Sequence, residues 1–289
     1  MKILFAADEQ PYSAYALTEV TRLALNTWAD VAILGVTAPG RDPEAEPDQS
    51  LLAALHGYRE DFLQVAAQEG LTAYAQDNYR DEWVALRGNR WEEVRVARGA
   101  KKDLKVLLRA GAAAQEIVAE ARDQESDLIV LGCARGEQCL WGDGSPVPQR
   151  VVNDADCSVL LVKEEQPITR IIACLDQSYI SQDSLEMINQ IATIHGAQLE
   201  LIGLSSEGGL KKDVYRRLIE IGDYYEDRQI KVATRLTEVA EFESTVAGEL
   251  KQDLLALWMG KKSLLDRFFP RDWVGRFVGK CPSSVLVMR

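Results

Sequence analysis

Hydrophobic and polar positions change period along this chain in a regular order. Short apolar runs of strand length give way to segments with apolar residues three and four apart, and the series then repeats. Lys2-Ile-Leu-Phe-Ala-Ala-Asp8 reads as a buried strand ending on a carboxylate, and Ala14, Leu17, Val20, Leu23 and Ala24 mark one face of a helix after it. Asp30 introduces a second strand, Val31 to Val36, and the Pro-, Gly- and acid-rich stretch Thr37 to Gln49 reads as a mobile loop. Ser50 is a candidate cap for a helix reaching about Gln68. Leu104 to Arg109 is a strand, Gly111 to Ala121 a helix by composition, Leu128 to Leu131 a buried strand, Val147 to Asn153 a helix and Cys157 to Val162 a last strand.

After the polar stretch Lys163 to Pro167 the pattern restarts. Arg170 to Asp176 mirrors Lys2 to Asp8, Ala197 to Leu204 mirrors the second strand, Asp253 to Gly260 mirrors Asp127 to Gly132, and Ser284 to Met288 mirrors Ser158 to Val162. Two copies of one βαβ series predict an α/β fold of two Rossmann-like parallel five-stranded sheets with helices on both faces, arranged as a pseudo-dimer, with domains at 1–163 and 168–289. Leu71 to Lys102 stands outside the repeat as an inserted segment. A hairpin turning at Gly88-Asn89 and a short helix are both compatible with it.

Composition narrows the function classes. The formal net charge is -12, with 45 acidic against 33 basic residues, which argues against a nucleic-acid surface. No window approaches the roughly 20 apolar residues of a membrane span, and no signal peptide is visible, so a cytoplasmic protein is expected. The five cysteines lack zinc-ligand spacing and read as reduced, core-filling thiols; Cys133 and Cys139, which flank a loop, have redox activity as the alternative. No metal site and no catalytic residue is expected: His56 and His195 read as structural, and Gly-x-Ser-x-Gly, Walker A and a Rossmann G-x-G-x-x-G are absent.

Chemistry concentrates in the stretch from Asp127 to Ser145. A buried strand runs into Gly132, Gly136, Gly142 and Gly144, glycines open the backbone to close approach, and Ser145 is a candidate cap for the next helix, whose N–H groups would favour an anion. In parallel sheets ligands sit at the carboxyl ends of strands where the strand order switches, which would bring Asp8 to this loop. Asp8 reads equally as a ligand contact and as a helix-capping group.

The repeated order resembles the universal stress protein family. A first strand ending in Asp8, the DLIVLG strand Asp127 to Gly132, Gly144-Ser145 and the CSVLLV strand Cys157 to Val162 match in the first half; Asp176, Asp253 to Gly260 and Ser284 to Met288 match in the second. The resemblance implies a stress-response protein that binds a small ligand or regulates, without strong catalysis. Relatives that bind ATP carry G-x2-G-x9-G-(S/T) after the fourth strand. By that likeness Asp8, Val36, Gly132, Gly144 and Ser145 would hold ATP or AMP in the first half. Arg135 stands where the second glycine belongs, with Gly136 one place later, and either binds the phosphates or shuts them out. In the second half Gly260-Lys-Lys-Ser263 lacks that glycine and Trp273-Val274 replaces Gly-Ser, so no nucleotide is expected there. The resemblance also implies that the last strands of the two halves pair within the chain, and a further homodimer. A slow ATPase and an adaptor docking a protein partner through 71–102, with Trp83 and Trp91 amid arginines, are the alternative functions.

Overall fold

The computed structural model describes residues 1–38, 49–71, 73–74, 81–86, 90–95, 102–134, 139–141, 144–163, 168–175, 180–205, 211–250, 253–259 and 272–289. The chain divides into two compact units, one of Met1–Ala134 with Cys139–Lys163 and one containing Glu164–Arg289.

In the first unit the elements run β1 (Lys2–Ala6), α1 (Pro11–Thr27), β2 (Asp30–Thr37), α2 (Gln49–Gln68), β3 (Asp81–Leu86), β4 (Arg90–Arg95), β5 (Leu104–Ala110), α3 (Ala113–Asp123), β6 (Leu128–Gly132), α4 (Val147–Asp154) and β7 (Ser158–Val162). The strand order is β7-β6-β1-β2-β5-β4-β3. The first five are parallel, because each is joined to the next through a helix. Helices α1 and α2 pack together, and α3 packs with α4. Both faces of the sheet are thus covered, which is why Leu128, Ile129, Val130 and Leu131 are all buried rather than alternating.

The inserted segment resolves in favour of a hairpin. β3 pairs antiparallel with β4 in the register Trp83↔Glu93, and β4 pairs antiparallel with β5 in the register Trp91↔Leu108. The first unit's sheet therefore exceeds the expected five strands by two. The turn itself lies outside the described residues. Two ion clusters dock the hairpin. On one side Arg90 donates to Glu120 Oε1 at 2.5 Å, while Arg109 reaches Glu120 Oε2 at 2.6 Å, Glu116 at 3.1 Å and Asp123 at 2.5 Å. On the other, Glu93 accepts from Arg59 at 2.7 Å and lies 3.1 Å from His56 Nε2.

The second unit runs β8 (Arg170–Leu175), α5 (Gln182–His195), β9 (Gln198–Ser205), α6 (Lys211–Glu226), β10 (Val232–Glu238), α7 (Phe242–Glu249), β11 (Leu254–Trp258), α8 (Trp273–Lys280) and β12 (Val285–Met288). Its order, β10-β9-β8-β11-β12, repeats β5-β2-β1-β6-β7, and its described pairings are parallel. The repeat reaches the amino ends of the strands. Asp127 Oδ2 accepts the Lys2 N–H at 2.8 Å and fixes β1 beside β6. Asp253 accepts a forked bond from Arg170 at 3.1 and 2.7 Å, fixing β8 beside β11. Both aspartates of the repeated motif thus act at the end of the sheet opposite the candidate site.

Among the described residues no helix is long and apolar enough to cross a membrane.

Candidate functional site

From β1 the chain proceeds to β2 and β5 on one side, then returns to β6 and β7 on the other. The strand order therefore switches between β1 and β6, and a crevice opens at their carboxyl ends. Asp8, two residues past β1, Val36 near the end of β2 and Gly132 at the end of β6 sit on adjacent strands there. Gly144 and Ser145 precede α4. Arg135 and Gly136 lie outside the described residues.

Asp8 is half-buried and its carboxylate is heavily used. Oδ1 accepts the Gln10 N–H at 3.1 Å and the Ser13 hydroxyl at 2.8 Å, and Oδ2 accepts the Tyr12 hydroxyl. The Asp8 N–H in turn donates to Ser13 Oγ at 3.2 Å. This reciprocal arrangement ties the chain to the first turn of α1, whose free N–H groups and positive end favour a carboxylate. Tyr58, from α2, donates its hydroxyl to the Asp8 carbonyl at 2.8 Å. Burial, and then the Asp8 carboxylate beside it, push the Tyr58 pKa up to about 12. The Asp8 carboxylate thus binds the turn before α1, whose N-cap is Gln10 with no side-chain capping bond.

Gly132 has a reason to be glycine that differs from the expected one. A Cβ added there would lie 2.2 Å from the Tyr12 carbonyl oxygen, so the bare Cα admits the first turn of α1 against the strand end. The Gly132 carbonyl accepts the Trp141 indole N–H at 3.1 Å, and Trp141 is buried.

Ser145 does not cap α4. The N-cap is Pro146, with no side-chain capping bond, and Pro148 occupies the first turn. Proline suits a helix start because its missing N–H is not needed there. Gly144, with φ of +78°, donates its N–H to the Trp141 carbonyl at 2.7 Å, and the Trp141 N–H donates to the Ser145 carbonyl at 3.0 Å. Likewise Ser50 lies inside α2 rather than capping it, and donates to Glu9 Oε1 at 2.7 Å.

Two of the five cysteines are corrected. Cys133 and Cys139 form a disulfide, with Cα atoms 5.2 Å apart, and both are buried. Cys157, Cys174 and Cys281 remain thiols. Burial pushes the Cys174 thiol pKa well above its ordinary value. The Cys-x5-Cys spacing matches no common motif.

In the second unit Asp176 and Gly260 to Ser263 lie outside the described residues. Trp273 begins α8, is buried, stacks on Phe277 at 4.8 Å between ring centroids and packs near Phe242 at 6.0 Å. Its indole N–H donates to Glu243. This helix start is therefore an aromatic cluster. Sequence reasoning missed Tyr12, Ser13, Tyr58 and Trp141. Tyr12 and Ser13 stand four and five residues after Asp8, a spacing that reaches back over one helical turn; Tyr58 and Trp141 carry no local signal. Among the described residues no group of three His, Cys, Asp or Glu stands close enough to hold a metal ion.

Comparison with known proteins places this architecture. The chain is similar to a universal stress protein from Archaeoglobus fulgidus, with 15% identity and a TM-score of 0.58, over 100% of this chain and 96% of that one. It is similar to a functionally unknown protein from Pseudomonas aeruginosa, with 17% identity and a TM-score of 0.60, over 99% and 92%. The cytoplasmic domain of a prokaryotic cation chloride cotransporter shares the fold at 12% identity and a TM-score of 0.53, over 99% and 94%. No curated protein matches the chain. A sequence profile of the Universal stress protein family matches residues 1–163, more than half the chain and the whole of the first copy of the repeat. The chain belongs to the universal stress protein family.

Proposed function

We propose that this protein is a cytoplasmic, non-catalytic binding protein of the stress response, which takes a small ligand at the carboxyl ends of β1, β2 and β6 in its first unit. The observation that carries this reading is the switch in strand order between β1 and β6, which places Asp8, Val36 and Gly132 on adjacent strand ends. An adenine nucleotide, ATP or AMP, is the ligand class that the family motif suggests. The base would lie near Asp8 and Val36, and the phosphates toward Gly144 and Ser145, with Arg135 and Gly136 in the connection between. Binding without turnover is favoured because the Asp8 carboxylate already serves the first turn of α1. A carboxylate so engaged is a poor general base. In the second unit Trp273 takes up the corresponding helix start, which favours a structural role for that unit.

Titration calorimetry of the full chain with ATP and with AMP, run beside a phosphate-release assay, tests the proposal. The expected result is saturable binding of one equivalent or less with no phosphate released. Phosphate release that disappears in Asp8→Ala would establish a slow ATPase instead. No heat with either nucleotide, in oxidised and in reduced protein, would remove the nucleotide and leave partner docking on 71–102 as the reading. The exposed Val84 on β3 favours that second reading, while the internal bonds of Arg90 and Glu93 favour a core extension.

A further inference from the structure

We propose that Trp28, with Asp30 and Asp103, forms a docking point for an arginine-bearing segment of a partner protein. This corner lies at the amino ends of β2 and β5, away from the carboxyl ends that hold the candidate ligand site, so it stands independently of the ligand.

The duplication supplies an internal control. At the end of α1 the Ala29 N–H donates to the Ala24 carbonyl at 3.3 Å, and at the end of α5 the Ala197 N–H donates to the Ala192 carbonyl at 2.9 Å. Each helix closes on one left-handed residue. In the second unit that residue is Gly196, at φ 61°; in the first it is Trp28, at φ 53°. Glycine suits this turn because it has no Cβ, whereas a bulky side chain there is strained. Burial does not offset the strain, since Trp28 is 52% exposed. Among the described residues Glu125 and Gln229 are the other non-glycine residues with positive φ, and both are exposed and polar.

Two neighbouring positions differ between the copies as well. The Asp30 N–H donates to the Met1 carbonyl as the Gln198 N–H donates to the Thr169 carbonyl, both at 3.0 Å. The Val31 N–H donates to the Asp103 carbonyl as the Leu199 N–H donates to the Lys231 carbonyl, both at 2.9 Å. Asp30 is thus the counterpart of Gln198, and Asp103 of Lys231. One copy of the corner carries an indole and two carboxylates; the other carries a glycine, an amide and an ammonium. The same turn forms with glycine, so the fold does not require tryptophan here. Strain kept at an exposed aromatic points to a function, and tryptophan is a residue type enriched at binding hot spots.

The chemistry of the corner selects the partner. The Asp103 N–H donates to Asp30 Oδ1 at 3.1 Å, which joins the two aspartates, and the Asp103 side chain is 68% exposed. An indole face attracts a cation, and carboxylates add to that attraction. A guanidinium satisfies both, because it stacks flat on a ring and forks onto a carboxylate. Lys102 stands 3.6 Å from Asp30 and Lys105 3.7 Å from Asp103. Exposed pairs of this length are weak and screened by solvent, so a forked guanidinium can replace them. The carboxylates and the net charge of -12 disfavour a nucleic acid or an anionic membrane at this surface.

The test titrates the full chain, carrying isotope-labelled tryptophan, with hexa-arginine, hexa-lysine and hexa-glutamate peptides at about 150 mM salt. The Trp28 indole signal is assigned by its loss in Trp28→Gly. Hexa-arginine is expected to shift that signal saturably, and hexa-glutamate to leave it in place. Calorimetry is expected to show hexa-arginine bound about threefold to fivefold more weakly by Trp28→Gly, and likewise by Asp30→Gln combined with Asp103→Lys. Trp28→Gly is expected to melt at the parent temperature or up to about 4 °C higher, because glycine relieves the turn. A melting temperature that falls in Trp28→Gly shows an indole that holds the fold, and overturns the proposal. Hexa-arginine bound equally by the parent and by Trp28→Gly overturns it, as does a Trp28 signal that does not move. Hexa-lysine bound as tightly as hexa-arginine overturns the choice of arginine.

Discussion

A methyl group added at Gly132 would stand 2.2 Å from the Tyr12 carbonyl oxygen, a backbone atom that cannot rotate away. Gly132→Ala therefore forces α1 off the end of β6, and about 1–3 kcal/mol of stability is expected to be lost, read as a lower urea midpoint at unchanged slope. Tyrosines carry the pH dependence at this scale. Tyr74 is fully buried and its hydroxyl faces the carbonyls of Ala24 at 3.2 Å and Ala29 at 2.5 Å, closing the end of α1 where Trp28 turns left-handed at φ 53°. Burial, then Asp30, push its pKa up to about 12; Tyr58 is also raised to about 12 from the ordinary 10.0. Between those values the folded chain holds protons that the unfolded chain has lost. Stability present below pH 10 is therefore lost as pH rises from 10 toward 12. The melting temperature is expected to fall over that window, with tyrosinate absorbance appearing together with unfolding. Tyr58→Phe combined with Tyr74→Phe should flatten the slope. The position of Asp8 just past the end of β1 was legible in the sequence, but Tyr12 and Tyr58 as its neighbours were not, because hydroxyl partners depend on how α1 and α2 lie on the sheet.

At the scale of elements, the hairpin of β3 and β4 shows what periodicity omits. Successive residues of a strand point to opposite faces. Arg90 accordingly meets Glu120 of α3, while Glu93 meets Arg59 of α2, and the hairpin is clamped between helices on both faces of the sheet. Glu120 is fully buried and shared by Arg90 and Arg109, with Gln124 donating a further bond at 2.8 Å. Truncating it leaves buried guanidinium charge without its partner, so Glu120→Ala is expected to cost about 3–5 kcal/mol. Amide exchange in β4 and β5 should rise first. The double variant Glu120→Leu with Arg109→Met should recover much of the loss, because it removes charge on both sides; equal losses in the single and double variants would show that the cluster does not dock the hairpin. In sequence Arg90, beside Trp91, belonged to a segment with the composition of an interface patch, since composition reports charge and says nothing of the carboxylates that a fold brings to meet it.

For the whole molecule, the two units repeat one strand order, and the helix starts after β6 and β11 differ. One helix start carries Gly144 and Ser145, with Trp141 bonded back to them, and the other carries a stacked Trp273 and Phe277. Relieving that cluster by Trp273→Gly is expected to destabilise the second unit by about 3–5 kcal/mol without creating nucleotide binding there, as calorimetry with ATP can check. Loss of the Cys133–Cys139 bond should cost the first unit only roughly 2 kcal/mol, in keeping with its short ring. Hydrogen exchange resolves this by unit: first-unit amides near β6 should respond to reduction, and second-unit amides should not.

The alternation of strands and helices, the duplication, the buried β6 and the convergence of Asp8 with Gly132 were all readable from residue order. Each rests on a local period or on an end signal that a strand or helix carries within its own length. The disulfide, the indole on the Gly132 carbonyl and the ion pairs around Glu120 belong to the tertiary structure. Each depends on which atoms from distant segments arrive within about 3 Å of one another, and hydrophobic periodicity constrains faces, not atoms.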